Sequence, residues 1–137
     1  MKQIIDLACI IDDDATYVNL VKRIIETKQL CNNLLVFSNG KEAFDYFNAI
    51  LTNLSQEHIP EIILLDLNMP IMDGWEFLEK FLTIQNEFET PITLYVVSSS
   101  INPNDIEKAK EISLVSNYLV KPVRLDELEA IFSMKSA

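Results

Sequence analysis

Glycine is almost missing from this chain: only Gly40 and Gly74 occur in 137 residues. That excludes a glycine-rich loop wrapped around the phosphates of ATP, because such a cradle needs several backbone positions free of a Cβ. Cysteine is equally scarce. Cys9 and Cys31 are too few for a disulfide scaffold and lack the clustered spacing of a metal site. Cys9 falls inside an apolar run and reads as a small core residue, whereas Cys31 precedes the second strand in a loop. The one histidine, His58, stands in a polar stretch before Pro60 with no partner in the pattern, and reads as surface. Basic residues number 11 against 21 acidic ones, for a formal net charge of −10. With no local cluster of Lys and Arg, nucleic acid is excluded as a direct partner, since phosphate binding needs a basic patch. Part of the acidity is solvated helix surface, as at Glu107, Glu111, Glu127 and Glu129. No apolar run approaches the ~20 residues that span a bilayer, and the N-terminus lacks a basic-then-apolar signal pattern. A soluble, cytoplasmic protein with no membrane partner is the expectation.

What the chain does contain is apolar residue, 49% of the total, enough for one domain with a real core over residues 1–137. Strand and helix signals alternate five times. Strands are expected near residues 5–11, 33–37, 61–66, 92–98 and 117–120, and between them the apolar spacing shifts to that of helices. Tyr17, Val21, Ile24 and Ile25 mark the face of a first helix. Phe47, Ile50, Leu51 and Leu54 mark a second, entered through a capping box at Asn39-Gly40-Lys41-Glu42. Trp75, Phe77, Leu78, Phe81 and Leu82 give a broad face to a third. Asn102-Pro103 opens a short polar fourth helix, with the cap followed by proline at the first helical position. Leu125, Leu128, Ile131 and Phe132 mark a fifth. This alternation implies an α/β fold: a parallel sheet with helices on both faces and no second domain.

The strands end on chemistry. Leu7 to Ile11 stops at Asp12-Asp13, Ile62 to Leu65 at Asp66, Ile92 to Val97 at Ser98, and Tyr118 to Val120 at Lys121-Pro122. Open α/β sheets bind ligands at the carboxyl ends of their strands, so these groups are candidates for one site. Carboxylates ~4 Å apart repel by about 4 kcal/mol at an effective dielectric of 20. Such a cluster takes up a cation or protons, and hard oxygen ligands suit Mg²⁺. A lysine ammonium and a serine hydroxyl suit phosphoryl oxygens. The set matches phosphoryl transfer to a carboxylate. Asp14 reads as the cap of the first helix. Ser99 and Ser100 compete with Ser98 for the hydroxyl role, but the strand register favours Ser98.

Five pieces in order resemble the receiver domain of two-component response regulators, the CheY-like family: Ile10-Ile11-Asp12-Asp13, Leu65-Asp66-Leu67-Asn68-Met69-Pro70, Met72-Asp73-Gly74, Val97-Ser98-Ser99 and Tyr118-Leu119-Val120-Lys121-Pro122. The resemblance covers essentially the whole chain. It implies a doubly wound, flavodoxin-like (βα)5 domain, here a receiver with no output domain. It also implies that Asp66 accepts a phosphoryl group from a phosphohistidine on a sensor histidine kinase or histidine phosphotransfer protein. Asp13, Asp66 and the backbone carbonyl of Asn68 would ligate Mg²⁺, with Asp12 supporting. Ser98 and Lys121 would contact the phosphoryl oxygens, and Tyr118 would be the switch aromatic that follows Ser98. The implied protein is a signalling module with self-catalysed phosphotransfer and dephosphorylation, not an enzyme. It would act on an unknown downstream protein or serve as a phosphorelay intermediate; a homodimer stays open. Departures are small: Ser98 stands where threonine is commoner, Asn117 where glycine is frequent, and Val123 where an aromatic often follows.

Two other classes compete. A phosphatase using an aspartyl phosphate places its nucleophile near the chain start and a second acid two residues on, where this chain has Asn68. A flavin-binding electron carrier needs a Ser/Thr/Gly-rich loop after the first strand, where Asp12-Asp13-Asp14 would repel a flavin phosphate. Visible absorbance of the purified protein separates that class.

Overall fold

The computed structural model describes residues 5–52 and 59–136, with side chains to Ser133. Its elements are β1 (Ile5–Ile11), α1 (Ala15–Thr27), β2 (Cys31–Phe37), α2 (Gly40–Thr52), β3 (Ile62–Leu65), α3 (Gly74–Phe81), a short 3-10 turn (Gln85–Glu87), β4 (Thr93–Ser98), α4 (Pro103–Lys110), β5 (Val115–Val120) and α5 (Leu125–Ser136). Every expected strand is present, β1 with its expected limits and β2 and β5 each starting two residues earlier. Cys31 therefore opens β2 instead of preceding it. All strand pairs are parallel, in the order β2-β1-β3-β4-β5. The chain winds outward from β1 in both directions, and the switch point lies between β1 and β3. Among the described residues, no helix is long and apolar enough to cross a membrane.

Side chains alternate across a strand, and this sorts the core into two layers. Cys9, Ile11, Ile63, Leu65, Leu94, Val96 and Tyr118 pack toward α2, α3 and α4, with Phe47, Phe77, Phe81 and Ala109. Ala8, Ile10, Ile62, Leu64, Tyr95, Val97 and Leu119 pack toward α1 and α5, with Val18, Val21, Ile25, Leu128, Ile131 and Phe132. The residues of β3 are buried on both faces, which explains why that strand reads as an unbroken apolar run.

The helix starts follow the sequence with one correction. Asp14 caps α1 by accepting from the Tyr17 N–H, and Asn102 caps α4 by accepting from the Asn104 N–H with Pro103 behind it. At α2 the Asn39 side chain accepts from the Glu42 N–H, but the Glu42 carboxylate bonds the backbone and hydroxyl of Ser38 instead of returning to Asn39. The expected box is therefore half made, because Ser38 offers the carboxylate two donors. A complete reciprocal box stands at Asp73 and Glu76, opening α3. Leu125, expected on the buried face of α5, is 41% exposed; it is the first helical residue and lies beyond the edge of the core. Trp75 is only half-buried, its ring lying under the Lys108 ammonium 4.3 Å away. Leu54 and His58 lie outside the described residues. α4 buries Ala109 alone.

Candidate phosphoacceptor and metal site

The switch point brings together what the sequence scattered. The Asp66 N–H donates to the Ile11 carbonyl at 2.9 Å and the Asp12 N–H to the Phe37 carbonyl at 2.9 Å. Both acids are thus held as direct continuations of paired strands. Carboxylate oxygens of Asp12, Asp13 and Asp66 lie within 4.8 Å of one another. Asp12 and Asp66 are buried, while Asp13 is exposed. Across the sheet, the Lys121 N–H donates to the Ser98 carbonyl at 2.9 Å, which carries the lysine to the same edge. Its ammonium sits 2.7 Å from Asp12 Oδ2 and 3.7 Å from Asp66 Oδ1. Asp12 thus holds the closer ion pair, which leaves Asp66 the less committed of the two buried acids.

Burial, and after it the Asp12 charge, push the Asp66 carboxyl up to about 6, against the pull of Lys121 and backbone N–H donors at Asn68 and Leu67. Loss of hydration and a like charge both disfavour the carboxylate. The donor set is all hard oxygen, its negative charge exceeds what one lysine neutralises, and Asp13 opens to solvent. These features fit a divalent cation such as Mg²⁺. Asn68, two residues beyond Asp66, is exposed.

The raised Asp66 carboxyl has a consequence for stability without metal. An acid whose folded pKa exceeds its unfolded value stabilises the fold below the unfolded value, and that contribution is lost as pH rises through the folded one. The window is from the ordinary 3.8 to about 6. In EDTA, the stability of Asp66→Asn relative to the unmodified chain should grow by about 1–2 kcal/mol across that window. Urea denaturation at intervals between pH 4 and 7 checks it, and a constant or shrinking difference contradicts it.

Ser98 is fully buried, and its hydroxyl oxygen accepts from the Ser100 N–H at 3.1 Å. Ser99 is exposed and Ser100 half-buried. Ser100 makes three further bonds. Its hydroxyl donates to Asp105 Oδ2 at 2.6 Å and accepts from the Asn102 N–H at 3.3 Å, and its carbonyl accepts from the Tyr118 hydroxyl at 2.8 Å. Tyr118 pairs with Val96 in register and shares its face of the sheet. The loop after β4 therefore bonds at once to the Ser98 hydroxyl and to the Tyr118 phenol. The sequence did not reveal Ser100 as a hub, since its Asp105 and Tyr118 partners lie five and eighteen residues away. Tyr17 is the other residue missed. It reads as one apolar position of α1, yet the Lys121 ammonium lies 4.6 Å from its ring centroid.

The domain is thus a doubly wound α/β fold with an acidic cluster at the switch point, a serine at the end of β4 and a lysine just past β5. The sequence pattern of the response regulator receiver domain matches residues 8–133, and the chain belongs to that family. It is 27% identical over 120 residues to a probable methanogenesis regulatory protein, FilR2, of Methanothrix harundinacea, covering 88% of this chain and 74% of that protein. It is 28% identical to the response regulator Rcp1 of Synechocystis, covering 87% of this chain and 78% of that protein. Another relative, a protein-glutamate methylesterase/protein-glutamine glutaminase of Methanococcoides burtonii, is much longer: the chain spans 31% of it at 28% identity. Among solved structures, a two component response regulator from Cytophaga hutchinsonii superposes with a TM-score of 0.81 at 26% identity, covering 97% of this chain and 98% of that one. The Mn²⁺-bound form of Rcp1 superposes with a TM-score of 0.69 at 26% identity, covering 94% and 90%.

Proposed function

We propose that this receiver domain accepts a phosphoryl group on Asp66 from a phosphohistidine, on a sensor histidine kinase or phosphotransfer protein, in a Mg²⁺-dependent reaction. The carrying observation is the Asp66 carboxylate at the switch point, with the Lys121 ammonium 3.7 Å away and two further acids beside it. An Asp66 oxygen attacks phosphorus, the P–N bond to the imidazole breaks, and the imidazole leaves with the electron pair. Asp13 and Asp66, with the Asn68 backbone carbonyl, would hold the metal, and Asp12 would support it. When bound, the metal supplies charge neutralisation for the phosphoryl oxygens. Lys121 and the Ser98 hydroxyl would bind those oxygens after transfer through charge-assisted hydrogen bonds. Asp13→Ala should weaken Mg²⁺ binding at least tenfold, about 1.4 kcal/mol, by calorimetry. Unchanged affinity would move the metal elsewhere.

The signal would leave through the surface of α4, β5 and α5, read by a protein partner. If Ser98 turns toward a phosphoryl oxygen, the Ser100 N–H loses its acceptor, and the loop that bonds Tyr118 must rearrange. α4 follows that loop and is tied by little burial, so its displacement costs little. Chemical-shift mapping with and without beryllofluoride, a phosphoryl mimic, is the test. Shifts should extend through residues 99–123; shifts confined to the neighbourhood of Asp66 would remove this surface from the readout.

A further inference from the structure

Lys121 is held on three sides in this structure. Asp12 takes its shortest contact at 2.7 Å, Asp66 lies at 3.7 Å, and the ring of Tyr17 lies 4.6 Å from the ammonium. The lysine side chain is 14% exposed, so little water is left to hold the ammonium in place. Tyr17 is itself fixed. It occupies the first turn of α1, where its N–H donates to the capping Asp14 carboxylate at 3.1 Å, and its phenol meets the backbone of Val123 just past Lys121. Burial pushes that phenol up to about 12, so the ring stays neutral at ordinary pH. One element, α1, thereby presents an aromatic face to the cation that β5 delivers.

The arrangement matters because the Asp12 contact is the one that a divalent cation would weaken. Metal bound among Asp12, Asp13 and Asp66 draws on the same carboxylate charge that now anchors Lys121. An ammonium with only that anchor would swing out to solvent, since a lysine stem is flexible and the freed charge is strongly hydrated. An aromatic face does not compete for metal, and a desolvated cation–π contact retains its attraction when the carboxylate is occupied.

We propose that Tyr17 is a positioning residue for Lys121, its ring keeping the ammonium within reach of a phosphoryl group on Asp66 when metal occupies the acidic cluster. This rests on the reading of Asp66 as phosphoacceptor. The ring face, rather than the hydroxyl, is the working feature, so phenylalanine serves and an aliphatic residue does not.

The test is a double-mutant cycle on the full chain, read by beryllofluoride affinity in Mg²⁺ and by the initial rate of phosphorylation with acetyl phosphate. Tyr17→Leu should lower both roughly fivefold or more, and Tyr17→Phe should stay within about twofold of the unmodified chain. In a Lys121→Met background, Tyr17→Leu should cause no further loss, because a residue acting through Lys121 has nothing left to position. An NMR measurement without metal gives an independent reading. The ε-methylene protons of Lys121 should be shifted upfield by the ring in the unmodified chain and in Tyr17→Phe, and not in Tyr17→Leu. If Tyr17→Leu does not fold by circular dichroism, Tyr17→Met takes its place with the same expectations. Unchanged affinity and rate in the aliphatic variant, equal losses in Phe and Leu, or additive losses with Lys121→Met would each overturn the proposal. Absence of phosphorylation and beryllofluoride binding in the unmodified chain would instead overturn the phosphoacceptor reading itself.

Discussion

Asp66→Asn is expected to take up no phosphoryl group from acetyl phosphate and Mg²⁺, whereas the unmodified chain gains one phosphoryl mass. The amide is nearly isosteric with the carboxylate and keeps an oxygen for the backbone N–H donors of Leu67 and Asn68. The fold should therefore survive while the nucleophile does not, because an amide oxygen lacks the charge that attacks phosphorus. Neither neighbouring acid is a good substitute. Asp12 is 2% exposed in its side chain and committed to Lys121 at 2.7 Å, and Asp13 is exposed to solvent. Loss should be complete at the sensitivity of intact-mass detection, a decrease on the order of a thousandfold or more in rate. An undiminished acid-stable, base-labile adduct in Asp66→Asn would transfer the acceptor role to another residue.

The largest effect on stability is expected at Gly74. A Cβ placed there would lie 2.3 Å from the Asp66 carbonyl oxygen and 2.8 Å from the Leu67 Cα. Both are backbone atoms just past β3, so no side chain can turn aside to make room. The contact cannot be relieved by moving Gly74 either, because its N–H donates to the Leu67 carbonyl at 2.9 Å and it begins α3 immediately after the Asp73 cap. Gly74→Ala should cost about 3 kcal/mol, at the upper end of overpacking penalties, because the relief must come from backbone displacement. The denaturant midpoint is the measurement, with Asn39→Ala as a comparison that loses only a cap, about 1 kcal/mol. Since the clashing atom belongs to Asp66 itself, any Gly74→Ala protein that folds should also accept phosphoryl groups more slowly. A cost below about 1 kcal/mol would mean that the loop from Asp66 to Asp73 yields more easily than its bonds suggest.

Ile71, in that same loop, sits at φ 69° and is 76% exposed. A β-branched side chain is disfavoured in the left-handed region. Turn sequences that require this backbone ordinarily announce themselves with glycine or asparagine, so nothing in the residue type pointed to it. The bonds on either side impose it: the Met72 N–H on the Pro70 carbonyl at 2.7 Å, and the Gly40 N–H on the Met72 carbonyl at 2.9 Å.

Much of the site was legible because its residues follow strands whose apolar runs are hard to misread. Asp12, Asp66, Ser98 and Lys121 each come directly after such a run, and parallel strands deliver their carboxyl ends to one edge. The resemblance implied a doubly wound sheet, but the order β2-β1-β3-β4-β5 is set by which strands pair, since crossover handedness alone leaves several orders open. The capping of α1 and α4 was equally local and equally readable. The α2 box was only half right, because the choice of Glu42 between Asn39 and Ser38 depends on side-chain geometry that spacing does not encode.

The amino-acid sequence alone thus determined that Asp12, Asp13, Asp66 and Lys121 gather at one edge of the sheet, since strand periodicity and strand ends are properties of short segments. What only the tertiary structure decided is which group holds which. Lys121 rests on Asp12 more closely than on Asp66, Tyr17 lies under the same ammonium, and Ser100 joins Ser98 to Tyr118. Those pairings run between elements far apart in the chain. They are set by how far each helix and loop is displaced against the sheet, a balance of packing and desolvation over the whole domain to which no local pattern of residues corresponds.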